Sequence, residues 1–325
     1  IVGYQNNRSR LNWGAVAQRI PYLYGGYSIE YGDVYGEPAV VQKEYIYRQT
    51  NYQLSGFAYY PFNQSRRFEL SAGYRYVHYD REIWTYATSM VTGIQLMRFK
   101  EELEAPPGMH FGFATSAFVY DSSIFGATSP ILGQSYIAQV SPYIGTIQFV
   151  NVLTDYRRYF VPVRPFTLAF RFLHYGRYGA DSEDARLYPL FLGYETLVRG
   201  YNYSSFRGDE CVDEGRCFDR LFGSKIMVAN LELRFPLFQV LGIGEGYYGA
   251  FPLDFIIFSD AGMAWMNEGE NRAWFQGGSR KPVFSAGLGV RMNLFGYIIL
   301  GVSYVKPFQR PDQAPYLQMT FTPGF

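Results

Sequence analysis

From Lys225 to Pro236 the side chains alternate: Met227, Ala229, Leu231, Leu233 and Phe235 on one side of an extended chain, Asn230, Glu232 and Arg234 on the other. The same period returns at 284–293, where Ala286, Leu288, Val290 and Met292 oppose Ser285, Gly287, Gly289, Arg291 and Asn293. It is also clear at 68–79, where Phe68, Leu70, Ala72, Tyr74 and Tyr76 oppose Glu69, Ser71, Gly73 and Arg75. Successive side chains of a strand point to opposite faces, so each stretch predicts a strand with one apolar and one polar face. No window approaches the roughly 18 uninterrupted apolar residues of a transmembrane helix, and no amphipathic helix of useful length appears. A bilayer can then be crossed only by a closed barrel, in which strands satisfy one another's backbone groups.

Composition supports the barrel over a soluble β-sandwich. Aromatics make up 19% of the chain and charged residues 18%, as expected where one face of each strand meets lipid and the other an aqueous lumen. A net charge of +1 argues against a nucleic-acid binder. Nothing in the chain matches a nucleophile elbow, a phosphate loop or a zinc-protease helix. The Gly-rich run 242–252 follows a strand, lacks Lys and leads into no helix, so it reads as a loop. His78, His110 and His174 fall on separate strands or loop edges and form no metal box by spacing. The expectation is a chain with no metal, no cofactor and no enzymatic activity. Ile1 opens the chain without Met and no signal peptide follows, so the reading is a mature or truncated product.

In chain order, residues 1–5 read as the end of a strand and 6–9 as a turn. Strands are predicted at about 10–20, 41–60, 68–79, 109–121, 132–143, 146–160 and 165–178, then at 225–236, 254–265, 284–293, 298–308 and 316–325. Loops are predicted at 21–38, at 81–108, whose Lys100-Glu101-Glu102 reads as a solvated face, and at 179–221. The terminal strand alternates Leu317, Met319 and Phe321 with Gln318, Thr320 and Thr322 and ends on Phe325. About twelve full strands plus a stub result. Single-chain bacterial barrels are even-numbered, so twelve and fourteen are both allowed closures. No repeat, linker or charge block divides the chain, and one domain is the economical reading.

One ordered set of motifs adds to this: Val198-Arg199-Gly200-Tyr201 in the long loop, LELRFP at 231–236, SDAG at 259–262, and a terminal aromatic residue. Over residues 109–325 this order resembles the C-terminal half of the BamA/TamA outer-membrane insertase superfamily, with 198–265 carrying most of the specificity. The resemblance implies a sixteen-strand antiparallel transmembrane β-barrel in the bacterial outer membrane with both termini in the periplasm. Val198–Tyr201 would then lie on extracellular loop six and residues 1–5 at the end of strand four, making 1–325 an N-terminally incomplete outer-membrane barrel domain. It also implies that Arg199 folds into the lumen to pair with Glu232 and Asp260. Parity independently puts Glu232 on a polar face, whereas the strand around Asp260 is apolar on both faces. A buried Asp needs a partner, and a planar guanidinium can bridge two carboxylates. The bland alternative leaves Arg199 in solvent and Gly200 in a simple turn.

Cys211 and Cys217 enclose a short acidic segment of the same loop, expected to face an oxidising exterior, and a local disulfide is the simplest reading. Zinc would need more ligands than the neighbouring acids suggest. By resemblance the function is insertion of outer-membrane proteins or polypeptide translocation. A client strand would be templated at a seam of which 316–325 forms one side. The implied partners are outer-membrane lipids, client β-barrel proteins and periplasmic or lipoprotein accessory subunits. The competing class is a transport pore or a passive anchor for a soluble domain. The stretch at 4–14 (YQNNRSRLNWG) resembles the branch in which a β-propeller precedes the barrel.

Overall fold

The computed structural model describes residues 1–206 and 216–323. In chain order the strands are β1 (Val2–Asn6), β2 (Asn12–Val34), β3 (Glu37–Asn63), β4 (Arg66–Ser89), β5 (Gln95–Leu103), β6 (Met109–Asp121), β7 (Ile124–Phe125), β8 (Pro130–Gly145) and β9 (Phe149–Val163). There follow β10 (Phe166–Tyr178), β11 (Leu190–Phe191), β12 (Phe222–Gly223), β13 (Lys225–Pro236), β14 (Leu253–Trp265), β15 (Val283–Leu294), β16 (Ile298–Pro307) and β17 (Tyr316–Pro323). Fifteen belong to one antiparallel sheet, and β11 pairs β12 separately. Apart from the short β1, β5 and β7, these are twelve full strands among the described residues, the number the alternation predicts. No described helix is long and apolar enough to cross a membrane. Cys211 and Phe325, and with them the proposed disulfide to Cys217 and the terminal aromatic, lie outside the described residues.

Two compact units make up the chain. The first comprises residues 1–59, 70–115 and 142–148. Its hairpin β2–β3 pairs without interruption from Asn12↔Tyr59 to Val34↔Glu37. The loop expected at 21–38 is therefore strand for most of its length. Tyr22, Tyr24, Tyr27, Ile29 and Tyr31 favour extended backbone. Pro21 is tolerated because the pairing with β1 has ended at Val2↔Ala17, which leaves no ladder on that flank for a missing N–H to break. At 23 and 27 residues, β2 and β3 are more than twice the roughly 9–11 residues that a tilted strand needs to span a bilayer.

The loop expected at 81–108 is likewise mostly strand. β5 folds back on β4 with Arg81 opposite Leu103 and Trp84 opposite Lys100. The Lys100 ammonium lies between Glu82 at 2.9 Å and Glu102 at 3.2 Å, and the Arg98 guanidinium sits 4.6 Å from the Trp84 ring. The charge run is thus an interleaved cross-strand pattern.

The second unit comprises residues 60–69, 116–141 and 149–325. In it β9, β10, β13, β14, β15, β16 and β17 pair in sequence. Leu231, Ile257, Leu288, Tyr304, Leu317, Met319 and Phe321 are exposed on one face, as a lipid-facing band requires. The opposite face carries Glu232 on β13, Ile256, Phe258 and Asp260 on β14, and Gln318 on β17, all buried. That inward face is where the long loop settles.

Candidate functional site

The loop after β10 brings apolar side chains back against the inward face. Leu192, Val198, Tyr201 and Leu221 form a buried cluster with Leu173 of β10, Ile226 and Val228 of β13, Ala264 of β14 and Val283 of β15. Full burial of each such side chain contributes about 1.5–3 kcal/mol. This seat fixes the backbone on both sides of Arg199.

Arg199 itself is buried, with 7% of its surface exposed. Its Nε donates to Asp260 Oδ2 and its Nη2 to Asp260 Oδ1, both at 2.7 Å, so the carboxylate is gripped by two parallel bonds. The Arg199 backbone N–H reaches Asp260 Oδ2 at 3.2 Å, and Nη1 lies 2.8 Å from Glu232 Oε1. Asn230, directly across the β13–β14 ladder from Asp260, donates to both Asp260 Oδ1 and the Leu197 carbonyl at 2.8 Å. The guanidinium plane rests 3.5 Å from the centre of the Phe258 ring, a cation–π contact. Phe258 gets its position from a neighbouring gap: a Cβ on Gly287 would stand 2.7 Å from that ring and 2.1 Å from the Tyr304 carbonyl.

Glu232 is shared. Arg234 Nε binds its Oε2 at 2.7 Å and Arg291 Nη2 its Oε1 at 3.0 Å, so one carboxylate holds three guanidiniums. On the far side of the loop, Arg171 binds Asp155 through Nε at 3.0 Å and Nη2 at 2.9 Å, and its Nη1 donates to the Thr196 carbonyl at 2.8 Å.

A second set of contacts joins the loop tip to the last strands. The Gly200 N–H donates to Gln318 Oε1 on β17 at 2.9 Å. Gly200 has φ +89°, and a Cβ there would meet Val305 Cγ2 at 3.0 Å, so both backbone and space demand glycine. Arg310, 4% exposed in the β16–β17 connection, donates to the Gly200 carbonyl at 2.8 Å and to the Ser205 carbonyl and hydroxyl at 2.9 Å, and stacks 3.9 Å from Phe206. The Tyr201 hydroxyl has two acceptors in reach, the Phe284 carbonyl at 2.9 Å and Gln309 Oε1 at 2.8 Å. Burial pushes this phenol above its usual range and keeps it a neutral donor.

The sequence-derived set Val198, Arg199, Gly200, Tyr201, Glu232 and Asp260 is thus brought together. Leu317, Met319 and Phe321 stand apart on the exposed outward face. Parity marks Arg234 and Arg291 as inward but not as partners of Glu232. Arg310 and Gln309 sit in a turn whose sequence carries no signal for them. Arg310→Ala is expected to destabilise the protein by about 2–3 kcal/mol, because bonds from a charged donor are lost and two carbonyls are left unpaired. Arg310→Lys should recover under half of this, since a point charge cannot serve all three oxygens. Urea unfolding in detergent would measure both.

The Omp85 superfamily domain matches residues 6–325. The chain belongs to the Omp85 superfamily. Omp85 barrels form an outer-membrane insertion and translocation family, and this chain is an antiparallel outer-membrane β-barrel of that type. No curated protein matches it. Among solved structures, BamA from Haemophilus ducreyi lacking POTRA domains 1–3 aligns with a TM-score of 0.59 and 14% sequence identity, over 99% of this chain and 68% of that one. At that identity the likeness establishes a shared Omp85 fold.

Proposed function

We propose that the chain is the barrel of an outer-membrane insertase that templates client strands at a seam bordered by β17. The observation that carries this reading is the attachment of loop six to β17 itself, through Gly200 N–H and Gln318. Loop six also grips β13 and β14 through Arg199 and the β16–β17 connection through Arg310, so the last strands are held as one body. β17 pairs with β16 from Val305↔Tyr316 to Ile298↔Pro323 and stands at the end of the sheet order. Its outward residues Leu317, Met319 and Phe321 suit lipid. In this reading the outer edge of β17 is the surface that a client strand completes by β-augmentation. In this reading no covalent chemistry is needed. The lock of Arg199 with Glu232 and Asp260 keeps the template rigid while its edge exchanges partners. The partners would be client barrel proteins, with accessory periplasmic or lipoprotein subunits.

A photo-crosslinking side chain at Thr320 or Met319, in cells synthesising a model outer-membrane barrel, should give client adducts. The same group at Phe170 on β10 should give none. A steady ion conductance with no client adduct at β17 would replace this reading with the transport pore, and neither activity would leave the passive anchor.

A further inference from the structure

The inward-facing cavity of the second unit, about 450 Å³, has loop six on one side, through Glu195, Thr196 and Arg199. On another it is lined by Phe125, Thr128, Ser129 and Pro130, residues of the connection from β6 to β8 that have no part in the loop-six site. This connection is a small hairpin. β7 pairs back on the start of β8, with Ile124 opposite Leu132, and the turn closes where Gly126 N–H donates to the Ser129 carbonyl at 2.9 Å.

The tip is held from residues more than a hundred positions away. The Ala127 N–H donates to the Tyr248 hydroxyl at 2.6 Å, and Asn293 Nδ2 donates to the Ala127 carbonyl at 2.5 Å. The Thr128 hydroxyl donates to the Asp254 carboxylate, and Arg234 Nη1 donates to the Pro130 carbonyl at 3.1 Å. Asp254, Arg234 and Asn293 share the inward face of three consecutive strands, β14, β13 and β15. Asp254 faces Arg291 across the ladder, and Asn293 lies two residues beyond it. All three sit near the ends where the connections 237–252 and 295–297 turn, which are also the ends at which β17 finishes. Thr128 and Ser129 are buried, 3% and 6% exposed. Burial pushes the Tyr248 phenol up to about 12, so its hydroxyl is neutral across the physiological range.

We propose that residues 122–130 form a strap across the inward ends of β13, β14 and β15, which bounds this cavity on the side away from loop six and restricts passage through it. A crossing of side chains from three strands and a loop onto one buried turn adds nothing to the sheet, whose own ladders are complete there. It does set the Pro130 carbonyl on Arg234 and narrow the cavity that Arg234 and Arg291 line. The strap does not rest on the seam mechanism: a restriction on the inward side of β13–β15 is compatible with any event at the outer edge of β17.

The test uses the full-length protein in planar bilayers. The native protein should show low conductance, and Thr128→Val combined with Asn293→Ala should raise it several-fold while the folded, heat-modifiable electrophoretic mobility is kept. Tyr248→Phe, an isosteric change in a loop, should speed hydrogen exchange in the peptide covering 122–130 several-fold without altering exchange in β14. Unchanged conductance in the folded double variant, or a native conductance already equal to it, overturns the strap. Should the double variant fail to fold, unchanged exchange in Tyr248→Phe overturns it alone.

Discussion

Arg199→Glu is expected to lower the unfolding free energy by about 3–5 kcal/mol, the usual loss when one member of a buried ion pair is removed, with like-charge repulsion adding to it. The new carboxylate would share the space now bridged between Asp260 and Glu232, and loop six would lose its ion pairs with β13 and β14. The apolar seat of Val198, Tyr201 and Leu192 is then insufficient to hold the loop tip against an uncompensated buried charge. Adding Asp260→Arg should restore part of the stability, since the pair is re-formed with its polarity reversed, though Asn230 and Phe258 remain placed for the native order. Arg199→Lys should fall between, keeping one carboxylate contact but losing the two-pronged grip. Denaturant midpoints from tryptophan fluorescence, with electrophoretic mobility as the check on folding, distinguish the outcomes. A single variant with the native midpoint would remove Arg199 from any structural role.

Glu232→Gln is expected to cost a comparable 3–5 kcal/mol or more although it changes a single atom type. One carboxylate now faces three guanidiniums, from Arg199, Arg234 and Arg291. With a neutral amide in its place, the three guanidiniums share one uncharged acceptor oxygen and Arg291 loses its anionic partner. Asp260→Asn should cost less, because Asp260 serves Arg199 alone among the guanidiniums. The ranking is itself the prediction. Millimolar sulfate should partly rescue Glu232→Gln by supplying a luminal anion and leave Asp260→Asn unimproved. If Asp260→Asn proves the more damaging, Glu232 is not the centre of the cluster.

Much of this arrangement can be read from the alternation at 225–236 and 284–293, where Glu232, Arg234 and Arg291 fall on polar faces that must point inward. Asp260 is harder, because Ile256 and Phe258 make its inward face apolar. The structure gives the reason: Phe258 is the floor on which the Arg199 guanidinium lies, so an aromatic belongs on the luminal side there. Gly287, which looks like a small residue spaced along a polar face, is the gap that leaves room for this ring. The extended hairpin at 12–63 was hidden by Pro21 and by glycines that signal turns in shorter chains. The β5 pairing was hidden by charges that signal solvent. Arg310 belongs to a turn with no periodicity to read, and only the fold shows that the turn meets Gly200.

The contacts of loop six also carry information about time. The loop draws on Asp155 and Arg171 of β9 and β10, Glu232 and Asp260 of β13 and β14, the Phe284 carbonyl of β15, Arg310 beyond β16 and Gln318 of β17. It cannot settle until all seven strands stand in register, the last included. The fully docked loop therefore requires the last strand to be in place. Where β17 is misregistered, the loop lacks its Gln318 anchor, and limited proteolysis of purified protein is expected to cut it faster than in the native chain.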